Sequence, residues 1–320
     1  MLKTKLGGNG TMKIFLLLFL LSVGFVMLVK GADWFVSGAS SLAQRFGISQ
    51  LVIGMTIVAI GTSAPEAAVS IAAALKGSAD ITIGNIVGSN ILNVLIILGI
   101  SAVITPLAVS KSTLRYEVPF MIMVTLLLLA QGRDGEIQFM DGFVLLVFFL
   151  LYLFYLYCIA KKGSEPGEVP VKSQGMKSSI FAVTAGLVLI LLGSNLSVDA
   201  ASAIARMLGM SERFIGLTIV ALGTSLPELF TSVSAARKGN ADIAIGNIVG
   251  SNIFNILFVV GLSAWIIPVP FSSGFLADTL TAAAAGILLL ICSAGGQKLG
   301  RGSGILMLLF YLGYFVFICV

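Results

Sequence analysis

Long runs of apolar residues are the feature that most restricts how this chain of 320 residues can fold. A helix needs about 20 such residues to cross a bilayer, and the sequence contains ten runs of suitable length. Because lipid offers the backbone no hydrogen-bond partners, spanning segments are either helices or strands of closed barrels. The runs lack the alternation of apolar and polar residues that barrel strands require. The sequence therefore predicts an all-α polytopic membrane protein.

The composition excludes several classes of protein. Only 10% of the residues are charged and 58% are apolar, which is far from the balance of a soluble enzyme. Histidine is absent from the sequence, so any ion site must be built from oxygen ligands. The three cysteines show no metal-site or redox spacing. The net charge of +5 comes from scattered basic residues, which do not predict a partner nucleic acid. We expect the protein to lie in the lipid bilayer without a cofactor and without an obligate protein partner.

Hydropathy places the ten predicted spans in two sets of five. The first set covers residues 13–44, 49–75, 80–105, 114–131 and 139–160. The second set covers residues 178–208, 212–237, 242–267, 275–294 and 303–319. One long polar segment, residues 161–177, separates the two sets and predicts a linker between two units, residues 1–160 and residues 178–320.

The distribution of basic residues predicts the orientation in the membrane. Eleven Lys and Arg residues lie at the membrane face that carries the linker, whereas four lie at the other face, or seven with the N-terminal tail. Because basic loops remain in the cytoplasm, we expect a cytoplasmic linker with both termini outside. A cleaved signal peptide is the alternative interpretation of the first apolar run, which lacks a clear cleavage site.

The two sets of spans are copies of one sequence. With a shift of 162 positions, residues 54–106 align with residues 216–268, and about 34 of 53 positions are identical. The strongest matches pair GTSAPE with GTSLPE, and GNIVGSNILN with GNIVGSNIFN. Each copy contains five spans, an odd number, so the second copy must enter the membrane from the opposite face. The sequence therefore predicts ten transmembrane helices arranged as two inverted five-helix repeats.

The two repeated glutamates are the first candidates for function. Glu66 and Glu228 end the GTSxPE motifs, about halfway along their predicted spans. An ionised carboxylate at that depth is costly unless a counter-charge meets it, and a bound cation would supply that charge. The alternative for a single glutamate is a protonated side chain that hydrogen-bonds to a neighbouring helix. Two glutamates at equivalent depth favour a cation site.

A proline precedes each glutamate and should break its helix. Pro65 and Pro227 lack a backbone donor and clash with the preceding turn. We expect each break to free backbone carbonyl groups and to bring hydroxyl groups into the same volume, although a simple kink for helix packing is the alternative. The residues that contribute these groups are Ala59, Thr62, Ser63, Ala221, Thr224 and Ser225.

The third span of each copy adds amide and hydroxyl oxygens. Ser89 and Asn93 are four residues apart and share one helix face, and the same holds for Ser251 and Asn255. Ca²⁺ takes six to eight oxygen ligands in flexible geometry. Na⁺ can use the same oxygens, so the sequence predicts a mid-membrane site for Ca²⁺ or Na⁺.

Two further acids lie in the first span of each copy. Asp33 aligns with Asn195, and Asp199 aligns with Ser37, so the two acids are not equivalent in the repeat. We expect both to make interhelical or interfacial contacts, with a role in cation entry as the alternative.

The paired GTSxPE and GNxxGSNxxN motifs resemble the alpha repeats of the cation/Ca²⁺ exchanger superfamily, in particular its prokaryotic sodium/calcium exchangers. The resemblance covers essentially the whole chain. It implies a secondary active antiporter in a prokaryotic cell membrane, and not an enzyme, that exchanges Ca²⁺ for Na⁺ by alternating access. It also implies that both cations are bound by Glu66 and Glu228 with the hydroxyl and carbonyl groups of Thr62, Ser63, Ser89, Thr224, Ser225, Ser251, Ala59 and Ala221.

One departure from the family pattern bears on the mechanism. Some relatives carry Asp at the position of Asn255, so only two carboxylates remain in the expected site here. This disfavours co-transport of K⁺ and leaves H⁺/Ca²⁺ exchange as the main alternative. A cation channel is disfavoured because tight binding of a divalent ion opposes conduction. An intramembrane protease would need a catalytic Asp pair or a His-bound metal.

Overall fold

The structure, a computed structural model, describes residues 8–162, 175–210 and 221–319. Within these ranges, eight helices and one bent pair of helices are long and apolar enough to cross a membrane. They coincide with nine of the ten predicted spans. The remaining predicted span, residues 212–237, is described from residue 221 onward. The prediction of an all-α polytopic membrane protein is confirmed.

The first half of the described chain contains six helices. They are α1 (Gly8–Phe46), α2 (Gln50–Thr62), α3 (Ala64–Leu75), α4 (Asp80–Leu92, continued by a π-helical turn, Asn93–Leu98, and by Gly99–Ile104), α5 (Val118–Gln131, preceded by a π-helical turn, Thr113–Glu117) and α6 (Phe139–Ala160). α2 itself contains a π-helical turn, Gly54–Val58.

The second half repeats this order. Its helices are α7 (Met176–Met207), α8 (Ala221–Thr224), α9 (Leu226–Arg237), α10 (Ala241–Phe254, continued by a π-helical turn, Asn255–Val260, and by Gly261–Ile266), α11 (Ser273–Ala294) and α12 (Arg301–Cys319). The π-helical turns of α4 and α10 begin at the repeated residues Asn93 and Asn255, and such turns are frequent at functional sites.

Two short pairs of antiparallel strands show which loops share a membrane face. β1 (Leu107–Ala108) pairs with β4 (Lys298–Leu299), and β2 (Glu136–Ile137) pairs with β3 (Val269–Pro270). β1 and β2 lie at opposite ends of α5, so the two pairs lie at opposite faces. The shift of 162 positions carries β1 onto β3, which confirms that the repeats are inverted. We call the face of β1 and β4 the linker face, because α6 ends there before residues 161–177, and the opposite face the far face.

The two longest helices, α1 and α7, pack against each other through small residues. A Cβ atom added at Gly31 would lie 2.8 Å from the carbonyl oxygen of Gly186, and one added at Gly186 would lie 2.8 Å from the carbonyl oxygen of Gly31. Gly24, seven residues before Gly31, and Gly193, seven residues after Gly186, approach each other in the same way. Contact between backbones at this distance leaves no room for larger side chains. α1 and α7 therefore form a close pair.

The helices that carry the GNxxGSNxxN motifs lie at the centre of the molecule. In α10 and α4 the most apolar stretch is 94% and 78% buried, whereas the corresponding value for the other six long helices is 39% or less. A Cβ atom added at Gly250 of α10 would lie 2.6 Å from the Cα atom of Met55 in α2. This close approach places the helix broken before Glu66 directly against α10.

Candidate ion-binding site

Two helix breaks position the glutamates. Ser63 separates α2 from α3, whose axes differ by 50°, and Ser225 separates α8 from α9. A proline lies in the first turn of both α3 and α9, where a missing backbone N–H group is tolerated. The predicted breaks are confirmed. Glu66 and Glu228 therefore lie in the first turn of a helix, where the helix dipole favours negative charge.

The break does not free all the carbonyl groups that the sequence suggested. Ala59 still accepts a hydrogen bond from the backbone N–H of Ser63 at 3.0 Å, so the expectation that its carbonyl is freed is wrong. The physical reason is that Pro65 removes the donor for the carbonyl four residues earlier, which belongs to Gly61. The Ala59 carbonyl nevertheless faces α10, because Ser251 Oγ donates to it at 3.4 Å.

Each glutamate is hydrogen-bonded to the serine that precedes the other. Ser63 Oγ donates to Glu228 Oε1 at 2.9 Å, and Ser225 Oγ donates to Glu66 Oε1 at 3.2 Å. Glu66 is 1% exposed and Glu228 is fully buried. The two carboxyl groups come from opposite halves of the chain and meet in one buried volume at the centre of the protein.

Four asparagines of the GNxxGSNxxN motifs join α4 to α10. Asn90 and Asn252 each donate from Nδ2 to the other's backbone carbonyl at 3.1 Å. Asn93 Nδ2 donates to Asn252 Oδ1 at 3.0 Å, and Asn255 Nδ2 donates to Asn90 Oδ1 at 3.1 Å. These bonds use the amide groups of Asn93 and Asn255 as donors and fix the orientation of both side chains.

Four buried oxygen atoms at this site accept no hydrogen bond from the described residues. They are Oε2 of Glu66, Oε2 of Glu228, Oδ1 of Asn93 and Oδ1 of Asn255, two pairs related by the repeat. Proteins rarely bury acceptors without donors, and a cation satisfies several acceptors at once. The described ranges contain no cluster of three or more His, Cys, Asp or Glu residues that could hold a metal ion. Neutral oxygens would therefore have to complete the coordination of any cation here.

The other predicted site residues lie on the same helices. Thr62 is fully buried at the end of α2, and Thr224 is half-buried at the end of α8. Ser89 is buried one turn before Asn93 on α4. Ala221 is the first residue of α8.

Two further asparagines of the GNxxGSNxxN motifs, Asn85 and Asn247, hold the helices that carry the glutamates, a role that the sequence did not predict. Asn85 Nδ2 donates to Ser70 Oγ, and Asn247 Nδ2 donates to Ser232 Oγ, both at 2.9 Å. Asn247 Oδ1 also accepts a hydrogen bond from Thr62 Oγ1 at 3.0 Å, which links the two halves of the chain. A signal was present, because the shift of 162 positions aligns both members of one Asn–Ser pair with those of the other.

Comparison with known proteins identifies the family. Residues 16–158 and residues 178–320 each match the family model described as sodium/calcium exchanger protein. The chain belongs to the sodium/calcium exchanger family. The two matched segments of this exchanger contain the two copies of the motif pair that the glutamates and asparagines occupy.

Relatives in bacteria and archaea match nearly the full length of this exchanger. Inner membrane protein YrbG of Escherichia coli is 38% identical over 90% of the exchanger and 92% of the relative. Sodium/calcium exchanger MaX1 of Methanosarcina acetivorans is 33% identical over 93% of the exchanger and 97% of the relative. The exchanger is thus an integral, multi-pass membrane protein with prokaryotic relatives.

A solved structure shares the fold of this exchanger. The sodium-calcium exchanger NCX_Mj, soaked with zero Na⁺ and Ca²⁺, is 34% identical and superposes with a TM-score of 0.84, over 95% of this chain and 99% of that one. Family and fold therefore both place the protein among ion exchangers.

Proposed function

We propose that this protein is a secondary active antiporter that exchanges Ca²⁺ for Na⁺ by alternating access. The set of four buried acceptor oxygens around Glu66 and Glu228 carries the proposal, because no described donor satisfies them. A cation bound among them would supply the missing partner for all four. The names of MaX1 and NCX_Mj support these two cations as the substrates.

The proposed ligands combine two carboxylates with neutral oxygens. Ser63 and Ser225 each donate a hydrogen bond to a glutamate, which leaves the lone pairs of the hydroxyl oxygen available to a cation. The full set that we propose to bind Ca²⁺ and Na⁺ is Glu66, Glu228, Asn93, Asn255, Thr62, Thr224, Ser63, Ser225, Ser89 and Ser251, with the carbonyl groups of Ala59 and Ala221.

Competition for charge would couple the two fluxes. The carboxylates of Glu66 and Glu228 carry two negative charges, which balance one Ca²⁺ or two Na⁺. Because both cations use the same oxygens, one must leave before the other is held. A site without cations would carry two buried carboxylates through a low dielectric, which disfavours the return step without a bound ion. The neutral side chain of Asn255 leaves no third carboxylate to balance an additional K⁺.

We propose that the linker face is cytoplasmic and that both termini lie outside. In support, the first described residue of α1 and the last of α12 lie at the far face, opposite the face with eleven basic residues. In this arrangement residues 1–160 and residues 178–320 are two five-helix units joined by the linker, residues 161–177.

A second candidate function is H⁺/Ca²⁺ exchange. One observation favours it: with two carboxylates in the site, two protons balance the charge as completely as two Na⁺. The two functions differ in the ion that drives Ca²⁺ across the membrane.

The decisive experiment measures uptake of radioactive Ca²⁺ into proteoliposomes under imposed gradients of Na⁺, K⁺ or H⁺. We expect a Na⁺ gradient to drive uptake and both Glu66→Gln and Glu228→Gln to abolish it. The matched control is Glu117→Gln. Glu117 is also a buried carboxyl group, but it lies just before α5 and accepts a hydrogen bond from Tyr155 of α6. This control should retain transport.

Two other outcomes of this experiment would contradict the proposed function. Na⁺-driven uptake that survives Glu228→Gln would defeat the two-carboxylate mechanism. Uptake driven by pH alone in medium without Na⁺ would favour H⁺/Ca²⁺ exchange.

A further inference from the structure

At the linker face, α1 is held to the end of α9 by a group of polar contacts. Ser234 Oγ donates to Asp33 Oδ1 at 2.7 Å, and Lys238 Nζ lies 3.4 Å from the same oxygen. Lys238 Nζ also donates to the Asp33 carbonyl at 2.5 Å and to Ser37 Oγ at 2.9 Å. We call Asp33, Ser37, Ser234 and Lys238 the linker-face latch. The predicted interhelical role of Asp33 is confirmed by these contacts.

A second contact extends the latch along α1. Asn240 Nδ2 donates to Ser40 Oγ at 2.8 Å, and both residues are buried. The repeat equivalent of Ser40 is Ser202 on α7, which is also buried but whose hydroxyl has no hydrogen-bond partner among the described residues. In the described ranges, the contact made at the linker face therefore has no counterpart at the far face.

The residues equivalent to the latch exist at the far face but do not meet. They are Asn195 and Asp199 on α7, and Ala72 and Lys76 at the end of α3. All four are exposed, and α3 and α7 do not share the extended contact that joins α1 to α9 in the described part of the chain. Among the described residues, α1 therefore contacts α9 at the linker face, whereas α7 and α3 lie apart at the far face.

We propose that Lys76 and Asp199 form a far-face latch in the opposite conformation, and that the two latches close in turn during transport. The proposal rests on the proposed alternating-access function. In the closed latch the Lys238 ammonium contacts Ser37, and the repeat places Asp199 at the position of Ser37. The mirrored arrangement would bring the Lys76 ammonium onto the Asp199 carboxylate.

The packing of α1 on α7 gives a reason for the latches to alternate. The glycines at their contact hold the two backbones together, so the pair moves as one body. Motion that brings α7 towards Lys76 would carry α1 away from Lys238. The far-face latch also has Ala72 where the closed latch has the hydroxyl group of Ser234, so it would form one hydrogen bond fewer. This difference favours the conformation closed at the linker face.

The proposal can be tested with a thiol reporter in detergent, without any ion gradient. Asn240→Cys, in a background whose three native cysteines are replaced by serine, places a thiol at a position that is 5% exposed. We expect Asp33→Asn to raise the rate of maleimide labelling about fivefold, the size of change given by loss of one partly exposed charged hydrogen bond. We expect Asp199→Asn to lower the rate by a similar factor, because it weakens the competing latch.

The proposal requires that Asp33→Asn and Asp199→Asn change the labelling rate in opposite directions. A shift of both variants in the same direction, or no effect of Asp199→Asn, would overturn the proposal. The exchange of charges in Asp33→Lys with Lys238→Asp restores only the ion pair, so it should lower the rate below that of either single substitution. Lys76→Gln repeats the far-face test if Asp199→Asn fails to fold. If labelling shows the opposite shifts while Na⁺-driven Ca²⁺ uptake fails, the latches stand and the ion assignment is wrong.

Discussion

Replacing Asn255 with Asp would add a third negative charge beside Glu66 and Glu228 with almost no change in shape. Asn255 donates from Nδ2 to Asn90 Oδ1 at 3.1 Å, and its own Oδ1 accepts no hydrogen bond from the described residues. Aspartate keeps an oxygen at the Oδ1 position and replaces the donor with a second acceptor. The substitution should therefore lower the stability of the protein without cations and strengthen its attraction for Ca²⁺.

The first energy is the stability of the protein without cations. Loss of the bond to Asn90 leaves a buried oxygen without its donor, which costs about 1–3 kcal/mol. The second energy is the attraction for Ca²⁺. At an effective dielectric constant of about 20, a unit charge roughly 4 Å away contributes about 4 kcal/mol, or about 8 kcal/mol for a divalent ion. Desolvation of the new carboxylate offsets much of this gain. We expect a net tightening of Ca²⁺ binding of at least about tenfold, which corresponds to ~1.4 kcal/mol.

Thermal unfolding of the purified protein in detergent measures both energies. Without cations, Asn255→Asp should unfold at a lower temperature than the parent, and with added Ca²⁺ its unfolding temperature should rise further and at lower concentrations. Asn93→Asp, the change at the repeat-equivalent position, should have the same two effects on the unfolding temperature. The control is Gln44→Glu, the same conversion of amide to acid at an exposed position near the end of α1. A Ca²⁺ titration of Asn255→Asp that matches or falls below that of the parent would refute the view that this side chain faces the bound ion.

Two further predictions concern the helices around the site. Gly31→Leu should lower the free energy of unfolding by about 1–3 kcal/mol or more, because the new side chain meets the backbone of Gly186. The control is Gly313→Leu, at a glycine whose added Cβ atom would have nothing within 4 Å. In a denaturation series this control should unfold as the parent does. Asn247→Ala removes one of three acceptors near Thr62 Oγ1 and the donor to Ser232 Oγ. It should weaken the stabilisation of the protein by Na⁺ and Ca²⁺ by about 1 kcal/mol, measured as the shift in the cation concentration that gives half the effect. An unchanged titration would show that Asn247 does not support the site.

The breaks at Ser63 and Ser225 were predictable because their cause is local. A proline deletes one backbone donor whatever surrounds it, so the position of the interruption follows from the position of Pro65 or Pro227. The carbonyl of Ala59 was predicted wrongly. Counting four residues back from Pro65 gives the carbonyl of Gly61, so the local rule itself leaves Ala59 bonded to the Ser63 N–H group. Only the contact with Ser251 of α10 required the tertiary structure.

The roles of the asparagines depended on packing across the molecule. Asn90 and Asn252 are 162 positions apart in sequence, yet each donates to the backbone of the other. The repeated motif showed that both asparagines lie in predicted membrane spans. It did not show whether an amide would bind an ion or bind the opposite helix, because that choice depends on which atoms the inverted copy brings within 3.1 Å.

The sequence by itself determined the membrane class, the duplication and its inversion, the helix breaks and the depth of the two glutamates. These follow from hydrophobicity, from the odd number of spans in each copy and from the chemistry of proline, all of which act along the chain. The tertiary structure alone decided which serine meets which glutamate, which buried oxygens accept no donor, and which of two nearly equivalent membrane faces is closed. Each copy places a lysine, Lys76 or Lys238, after the helix that carries its glutamate, so the sequence offers a lysine contact at either face. Only the packing of α1 and α7 against the remaining helices selects the one that forms.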